Sequence, residues 1–505
     1  MSEEGGGRKL LFAGVMLGLS LAALDLMVVA TALPAISGEL GDLSQIAWVF
    51  TAYMLIATVG MPIWGKLGDL YGRRRVFEIA ILIFMAASVL AGSSQTMAQL
   101  IIARGLQGLG GGALMSLPHS IISDVVPPRM RGRYMVVTSS VWALASLAGP
   151  LLGGFFVDGP GWRWIFYVNL PLGLAALVSI ALGFHIPQRR VAHHIDYLGA
   201  ALFVSGAGAL LLAVSWGGNA YPWTSPRIVC LLLASAALLT AFYFQERRAR
   251  EPVLPLHMFG IRLVRSATAA NFLFGLASFA LSMFVPVLVI VVGERSATVA
   301  GLTLMPVSLG LFCTSVAAGR LIARTGQYRR FPAFGMAIFA AGLLLLVKSD
   351  ARTDLVTLWF ACFTAGAGMG MVNPVILIAL QNAVEHRDLG VASAVSSFSR
   401  QIAATISTAL LGSVMAQRLA HHLAALTTPA TRGRFDLEHL RSSPEVIRGL
   451  AQPLHDQVTE AFRMAISDTL GVMLVLAGLS FLAALRIEHV PLRETIHERV
   501  ATDRV

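Results

Sequence analysis

Few side chains in this sequence have the types to do chemistry, and nearly all of them are placed where they should be costly. Asp25 lies inside the stretch Leu24–Pro34, which closes an apolar run beginning near Leu10. A carboxylate inside hydrocarbon costs about 2.5–3.5 kcal/mol on insertion scales, so a helix that keeps one aims it at a polar interior and uses it. Proton carriage is the chemistry such a group offers; a structural acid paired with a basic neighbour is the alternative. Arg104, in the run Leu100–Gly112, is the candidate partner. It either snorkels to a surface or faces the interior near Asp25. A neighbouring cation favours the charged carboxylate while desolvation disfavours it, and opposed influences of that kind suit a proton carrier.

A second constellation is Gly65-Lys66-Leu67-Gly68-Asp69-Leu70-Tyr71-Gly72, followed by Arg73, Arg74 and Arg75. Gly65 and Gly72 bracket a turn where two helices must approach closely, which glycine permits. Asp69 adds nothing to a plain topology signal. It reads as a gate acid that pairs across an interface in one state only, with Arg73 and Arg74 beside it. A pair formed in one state biases an equilibrium between two conformations. A similar turn recurs at Gly319–Gly326, followed by Arg329 and Arg330, with Ala323 where the first copy has Asp69.

These groups need helices to hold them. Gly105, Gly108 and Gly112 are small residues at helical spacing, suited to close packing. Gly149, Pro150, Gly153 and Gly154 form a proline-centred cluster expected to act as a hinge or a tight seal between helices. In the second half, Asn271, Phe274, Asn373 and Arg400 are candidate cavity-lining residues, with lipid contact or packing as the alternative. Trp162–Pro171 reads as an aromatic interface belt. Asp468 is a weaker proton-site candidate than Asp25.

The 505-residue composition fits this picture: 56% hydrophobic, 13% charged, with a mean hydropathy of +0.73. Apolar runs of about 20 residues, long enough to span a bilayer, recur throughout. The first is too long for a cleaved signal peptide and carries Asp25. Fourteen spans are expected, at roughly 10–34, 46–64, 76–93, 99–118, 134–157, 164–186, 198–215, 227–245, 266–292, 299–322, 331–348, 355–380, 392–417 and 463–486. About two thirds of the 38 Lys and Arg residues fall in loops on the side of the N-terminus. The positive-inside rule therefore gives both termini in the cytoplasm. The net charge of +11 needs no nucleic acid to explain it. Cys230, Cys313 and Cys362 lie in apolar runs, so no disulfide framework is implied. The pairs His193-His194 and His421-His422 lack a metal motif, and no phosphate-binding loop is present. No catalytic residues, metal or cofactor are expected.

The chain divides into six spans, two spans and six spans, which suggests an internal repeat. The expected domains are a first six-helix bundle (1–190), two additional spans (191–250), and five helices of a second bundle (251–417). A long outer loop (418–462), a last span (463–490) and a cytoplasmic tail (491–505) complete the chain.

Several of these segments resemble one family. Gly65–Arg75 looks like the cytoplasmic signature of the major facilitator superfamily, Arg104–Gly112 like its span-four motif, and Ala145–Gly154 like the span-five motif of antiporters. Leu24–Pro34, Trp162–Pro171 and Gly366–Pro374 are similar to the fourteen-span drug:proton antiporter branch. Ala145, Leu70 and Ala323 depart from the usual residues, and the last implies asymmetric gating. The resemblance implies two six-helix bundles around a central cavity, rocking to alternate access. It implies export of lipophilic cationic or neutral small molecules by proton antiport, with Asp25 carrying the proton and Arg104 in support. The expected setting is the cell inner (plasma) membrane, as a multi-pass monomer. Export of a lipid or native metabolite on the same fold is the alternative; a non-transporting sensor or partner subunit is a third reading.

Overall fold

The computed structural model describes residues 2–40, 45–126, 128–183, 196–218, 220–249, 251–350, 352–385, 388–426, 452, 454–488 and 490–492. Among these residues, fourteen helical segments are long and apolar enough to cross a membrane. No strands occur among the described residues.

The first six spans use α1 (Ser2–Leu40), α2 (Ile46–Tyr71), α3 (Arg73–Gly92), α4 (Met97–Val125), α5 (Pro128–Asp158), the short α6 (Trp164–Tyr167) and α7 (Asn169–Gly183). Then come α8 (Tyr197–Trp216) and α9 (Pro226–Glu246). The last six use α10 (Arg262–Ser278) with α11 (Leu281–Val287), α12 (Ala297–Thr325), α13 (Arg330–Val347), α14 (Leu355–Ala383), α15 (Leu389–Leu426) and α16 (Leu454–Leu485). Several starts carry the capping chemistry that satisfies orphan backbone N–H groups. Thr96, Ser225, Ser296 and Asp354 each accept from the backbone N–H three residues on.

The two halves pack by one plan. α4 lies against α2 and α3, as α14 lies against α12 and α13; α1 lies against α5 and α7, as α10 lies against α15 and α16. The glycines show why. A Cβ on Gly108 would meet the Tyr53 carbonyl at 2.5 Å, and one on Gly112 would overlap the Ala57 carbonyl. In the second half Gly366 and Gly370 press against the Val307 and Leu311 carbonyls in the same way. Small residues let helices approach where lipid supplies no hydrophobic drive for association. The bundles meet at two seams, α2 with α15 and α5 with α12, and α8 lies across the first, touching both of its helices.

The ninth span crosses as expected, but in pieces: it breaks around Phe279–Ala280, carries Pro286 inside α11, and finishes in a π-type turn, Leu288–Val292. One expectation needs correction. The outer loop expected at 418–462 is shorter, because α15 runs on to Leu426 and α16 starts at Leu454. At about 1.5 Å per residue, α15 is about 57 Å long, well beyond a bilayer core of about 30 Å. Leu419, Leu423, Val458 and Phe462 are buried in these extensions, so the two helices continue to pack past the hydrocarbon. The short helices expected at Phe435–Leu440 lie outside the described residues, as does most of the tail.

Candidate functional site

Asp25 sits mid-way along α1 and is buried, with three donors around its carboxylate. Arg104 Nη1 donates to Oδ2 at 2.5 Å, Gln107 Nε2 to Oδ1 at 2.8 Å, and Asn169 Nδ2 to Oδ1 at 3.1 Å. Gln107 and Asn169 also donate to Ser88 Oγ, at 2.8 and 3.3 Å. Arg104 further donates to Gln107 Oε1 at 2.5 Å and to the Val49 carbonyl at 3.1 Å. Its guanidinium carbon stands 4.3 Å from the Tyr53 ring centroid, within cation–π range. Asp25 and Arg104 have no solvent-exposed side-chain surface. The cluster joins α1, α2, α3, α4 and α7. Arg104 Nη2 and the Tyr53 hydroxyl are buried without partners, so two bonding positions beside the ion pair stay unfilled.

The sequence builds this centre through α4. Arg104 and Gln107 are one turn apart and share a face. Gly108, Gly111 and Gly112 remove the side chains that would hold α2 away; a Cβ on Gly111 would overlap the Tyr53 hydroxyl. Tyr53 can therefore lie flat over Arg104. Sequence reasoning offered Arg104 as a candidate partner for Asp25, with snorkelling to a surface as the alternative; it missed Gln107, Ser88 and Tyr53, and gave Asn169 only a structural role in the aromatic belt. Neutral polar residues in apolar helices are common, and only the three-dimensional convergence marks these.

The second constellation lies at the end of the bundle that carries the arginine-rich turns, called the basic end here. Gly72, with φ of +90°, ends α2 and lets α3 start at once. Asp69 is buried. Its Oδ1 accepts from Arg73 Nη2 at 2.8 Å and from the Gly390 N–H at 3.0 Å, and its Oδ2 accepts from the Val391 N–H at 3.0 Å. It therefore caps the start of α15 in the other bundle, where the helix dipole favours a negative charge. Arg73 also binds the Ser120 carbonyl at 2.8 Å and the Asp124 carboxylate. Gly65 lies against the same helix: a Cβ there would meet Ala394 Cβ at 2.6 Å. Arg74 binds Glu78 one turn along its own helix at 2.8 Å.

The second copy of this turn, with Ala323, has no such carboxylate. Its side of the basic end is tied differently. Gln381 Nε2 donates to the His119 carbonyl at 3.1 Å and to Ser393 Oγ at 2.8 Å, while its Oε1 faces Arg131 Nη1 at 3.4 Å. The structure is thus a state closed at the basic end.

The span-five cluster packs α5 on α1. A Cβ on Gly149 would overlap Met27 Cβ, and one on Gly153 would overlap Thr31 Oγ1, so both contacts lie within two turns of Asp25. Gly154 faces open space instead. Pro150 is in the helix, and its side chain lies outside the described residues. Two expected cavity-lining residues are not where the expectation placed them. Asn271 is buried and donates to the Ser396 carbonyl at 2.8 Å, stapling α10 to α15. Phe274 is fully buried against Phe339, ring centroids 5.3 Å apart. Both point into the second bundle's core because their shared face of α10 is the packed one. Asn373 is half-buried with Oδ1 unpartnered. Arg400 is half-buried, and no acid pairs with it among the described residues. Asp468 accepts from His422 Nε2 at 2.9 Å, in the α15–α16 extension.

A family model described as Major Facilitator Superfamily matches residues 15–408. The chain belongs to the major facilitator superfamily. Within that superfamily it is 36% identical over 420 residues to the Multidrug transporter protein MdtP of Bacillus subtilis, covering 83% of this chain and 77% of the relative. It is 35% identical over 491 residues to an uncharacterized MFS-type transporter of Mycobacterium tuberculosis, covering 97% and 71%. Its fold is similar to the crystal structure of the human organic anion transporter MFSD10, with a TM-score of 0.63 at 16% identity over 94% of this chain and 99% of that one. This major facilitator chain is therefore a multi-pass membrane transporter, from a family of transporters rather than enzymes, and has relatives named for multidrug transport.

Proposed function

We propose that this transporter exports lipophilic small molecules in exchange for protons by alternating access, as a monomer in the cell membrane with both termini in the cytoplasm. On that topology the basic end is the cytoplasmic end, and the structure is closed toward the cytoplasm. The observation that carries the reading is the buried Asp25–Arg104 pair with its three-donor clamp.

A proton on Asp25 removes the anion that compensates Arg104. Removing one partner of a buried ion pair costs about 3–5 kcal/mol when nothing replaces it. Arg104 keeps the Val49 carbonyl, Gln107 Oε1 and the Tyr53 ring, but the tie from α4 to α1 weakens. Because α1 seats α5 at Met27–Gly149 and Thr31–Gly153, and α5 forms one seam with α12, a shift of α1 reaches the interface between bundles. Proton occupancy thereby biases the rocking equilibrium.

The substrate is a lipophilic neutral or singly charged molecule. Arg400, without an acidic partner, weighs the choice toward neutral compounds over cations. The deciding experiment is transport in proteoliposomes under an imposed pH gradient, with a neutral and a cationic fluorescent lipophile. Asp25→Asn is expected to abolish gradient-driven flux while retaining counterflow exchange in a monodisperse protein. Gradient-driven flux that survives in Asp25→Asn sinks the assignment.

A further inference from the structure

A cleft of about 470 Å³ lies in the seam between the bundles, and no residue of the Asp25 cluster lines it. That volume is in the range of small-molecule sites. Its walls come from α2, α8, α10, α15 and the connector after α9. They are nearly all carbon, and Phe203, Phe259, Phe272 and Phe398 are among them. Three polar groups break the pattern. Ser399 is 6% exposed and its Oγ has no partner. Thr268 Oγ1 is likewise buried and unpartnered. Arg265, one turn before Thr268 on the same face of α10, lines the cleft from the exposed side, and no acid pairs with it among the described residues.

A helical serine or threonine ordinarily satisfies its hydroxyl on the preceding turn, and Thr405, Thr408 and Thr314 in this chain do. Two buried hydroxyls without a partner in one apolar cleft, beside a guanidinium that no acid pairs among the described residues, make a donor set waiting for an acceptor. Among the described residues no carboxylate lines the cleft, so a cation finds only aromatic faces there. We infer that this cleft binds an anionic amphipath with a single apolar chain and a carboxylate or phosphate head, taken from the membrane. The head meets Arg265, Thr268 and Ser399, and the chain lies among the phenylalanines. Because the cleft is framed by α2 of one bundle and α10 and α15 of the other, an occupant touches both. It therefore favours the state closed at the basic end.

The test uses the purified full-length protein in neutral detergent, with a dansyl-tagged fatty acid as the probe. Dodecanoate, dodecyl phosphate and dodecyltrimethylammonium compete for it. Both anions are expected to compete at least about tenfold better than the cation of equal chain length. A better dodecyl phosphate points to a phospholipid source and a better dodecanoate to a free fatty acid; either ranking supports the site. Arg265→Ala is expected to weaken the anions about tenfold and leave the cation unchanged. Ser399→Leu, which fills the cleft with carbon, is expected to abolish competition by all three. Equal competition by the cation, displacement by inorganic phosphate alone, or wild-type binding in Arg265→Ala overturns the proposal. Arg265 is exposed, so its variant keeps the test decisive if Ser399→Leu does not fold.

Discussion

Asp69→Ala should release the basic end. Its carboxylate accepts two backbone N–H groups, from Gly390 and Val391, across the interface between bundles. Hydrogen bonds to a charged group contribute about 1.5–3 kcal/mol each net of water. The low end for two gives about 3 kcal/mol, present only while the basic end is shut. At about 1.4 kcal/mol per factor of ten, the closed-to-open ratio falls roughly 10²-fold. Asp69→Asn keeps an acceptor oxygen and loses the charge, so about half that energy, or roughly tenfold, is expected. Fold stability should suffer less, because Arg73 retains Asp124 and the Ser120 carbonyl. The assay is electron–electron distance measurement between spin labels at Arg75→Cys and Arg324→Cys. These are exposed positions at corresponding turns of the two bundles, in a background with Cys230, Cys313 and Cys362 replaced. A longer-distance population should grow in the order wild type, Asp69→Asn, Asp69→Ala. Identical distance distributions in all three would refute the claim that this carboxylate holds the closed state.

Three further outcomes follow from local geometry. Gly112→Val drives carbon into the Ala57 carbonyl and should lower thermal stability in detergent by about 1–3 kcal/mol or more. Gly154→Ala, with nothing near its Cβ, should raise it by about 0.5–1 kcal/mol through helix propensity. Glu39, at the end of α1, accepts from Arg163 and Trp162, and those hydrogen bonds, Arg163 first, hold its carboxyl below the ordinary 4.5. A depressed carboxyl stabilises above its unfolded value and loses that contribution as pH falls through the folded one. The melting-temperature gap between wild type and Glu39→Gln should therefore be present at neutral pH and close below 4.5.

Helix number and the repeat were legible because both rest on hydropathy and glycine spacing, which act over many residues. The pairing of Asp25 with Arg104 was legible because charges in apolar runs are scarce. Gln107, Asn169, Ser88 and Tyr53 were not, since nothing in their spacing separates them from packing residues. Asn271 and Phe274 were misplaced because a helix apolar on every side does not reveal which face is the lining one. The α15 and α16 extensions were read as loop because polar helix beyond the hydrocarbon has no hydropathy signal.

The helix α8 leans on α2 and α15 at once, and it belongs to neither bundle. If the bundles turn against each other, α8 cannot stay fixed to both. One of its two faces must be a bearing surface, along which side chains slide, and the other a mount. Among the described residues the seam between α5 and α12 carries no such strut, so the machine is not mirror-even: one side swings and the other glides. Shortening the links on either side of α8 and α9 would then act as a brake on turnover, with no effect on what the pocket recognises.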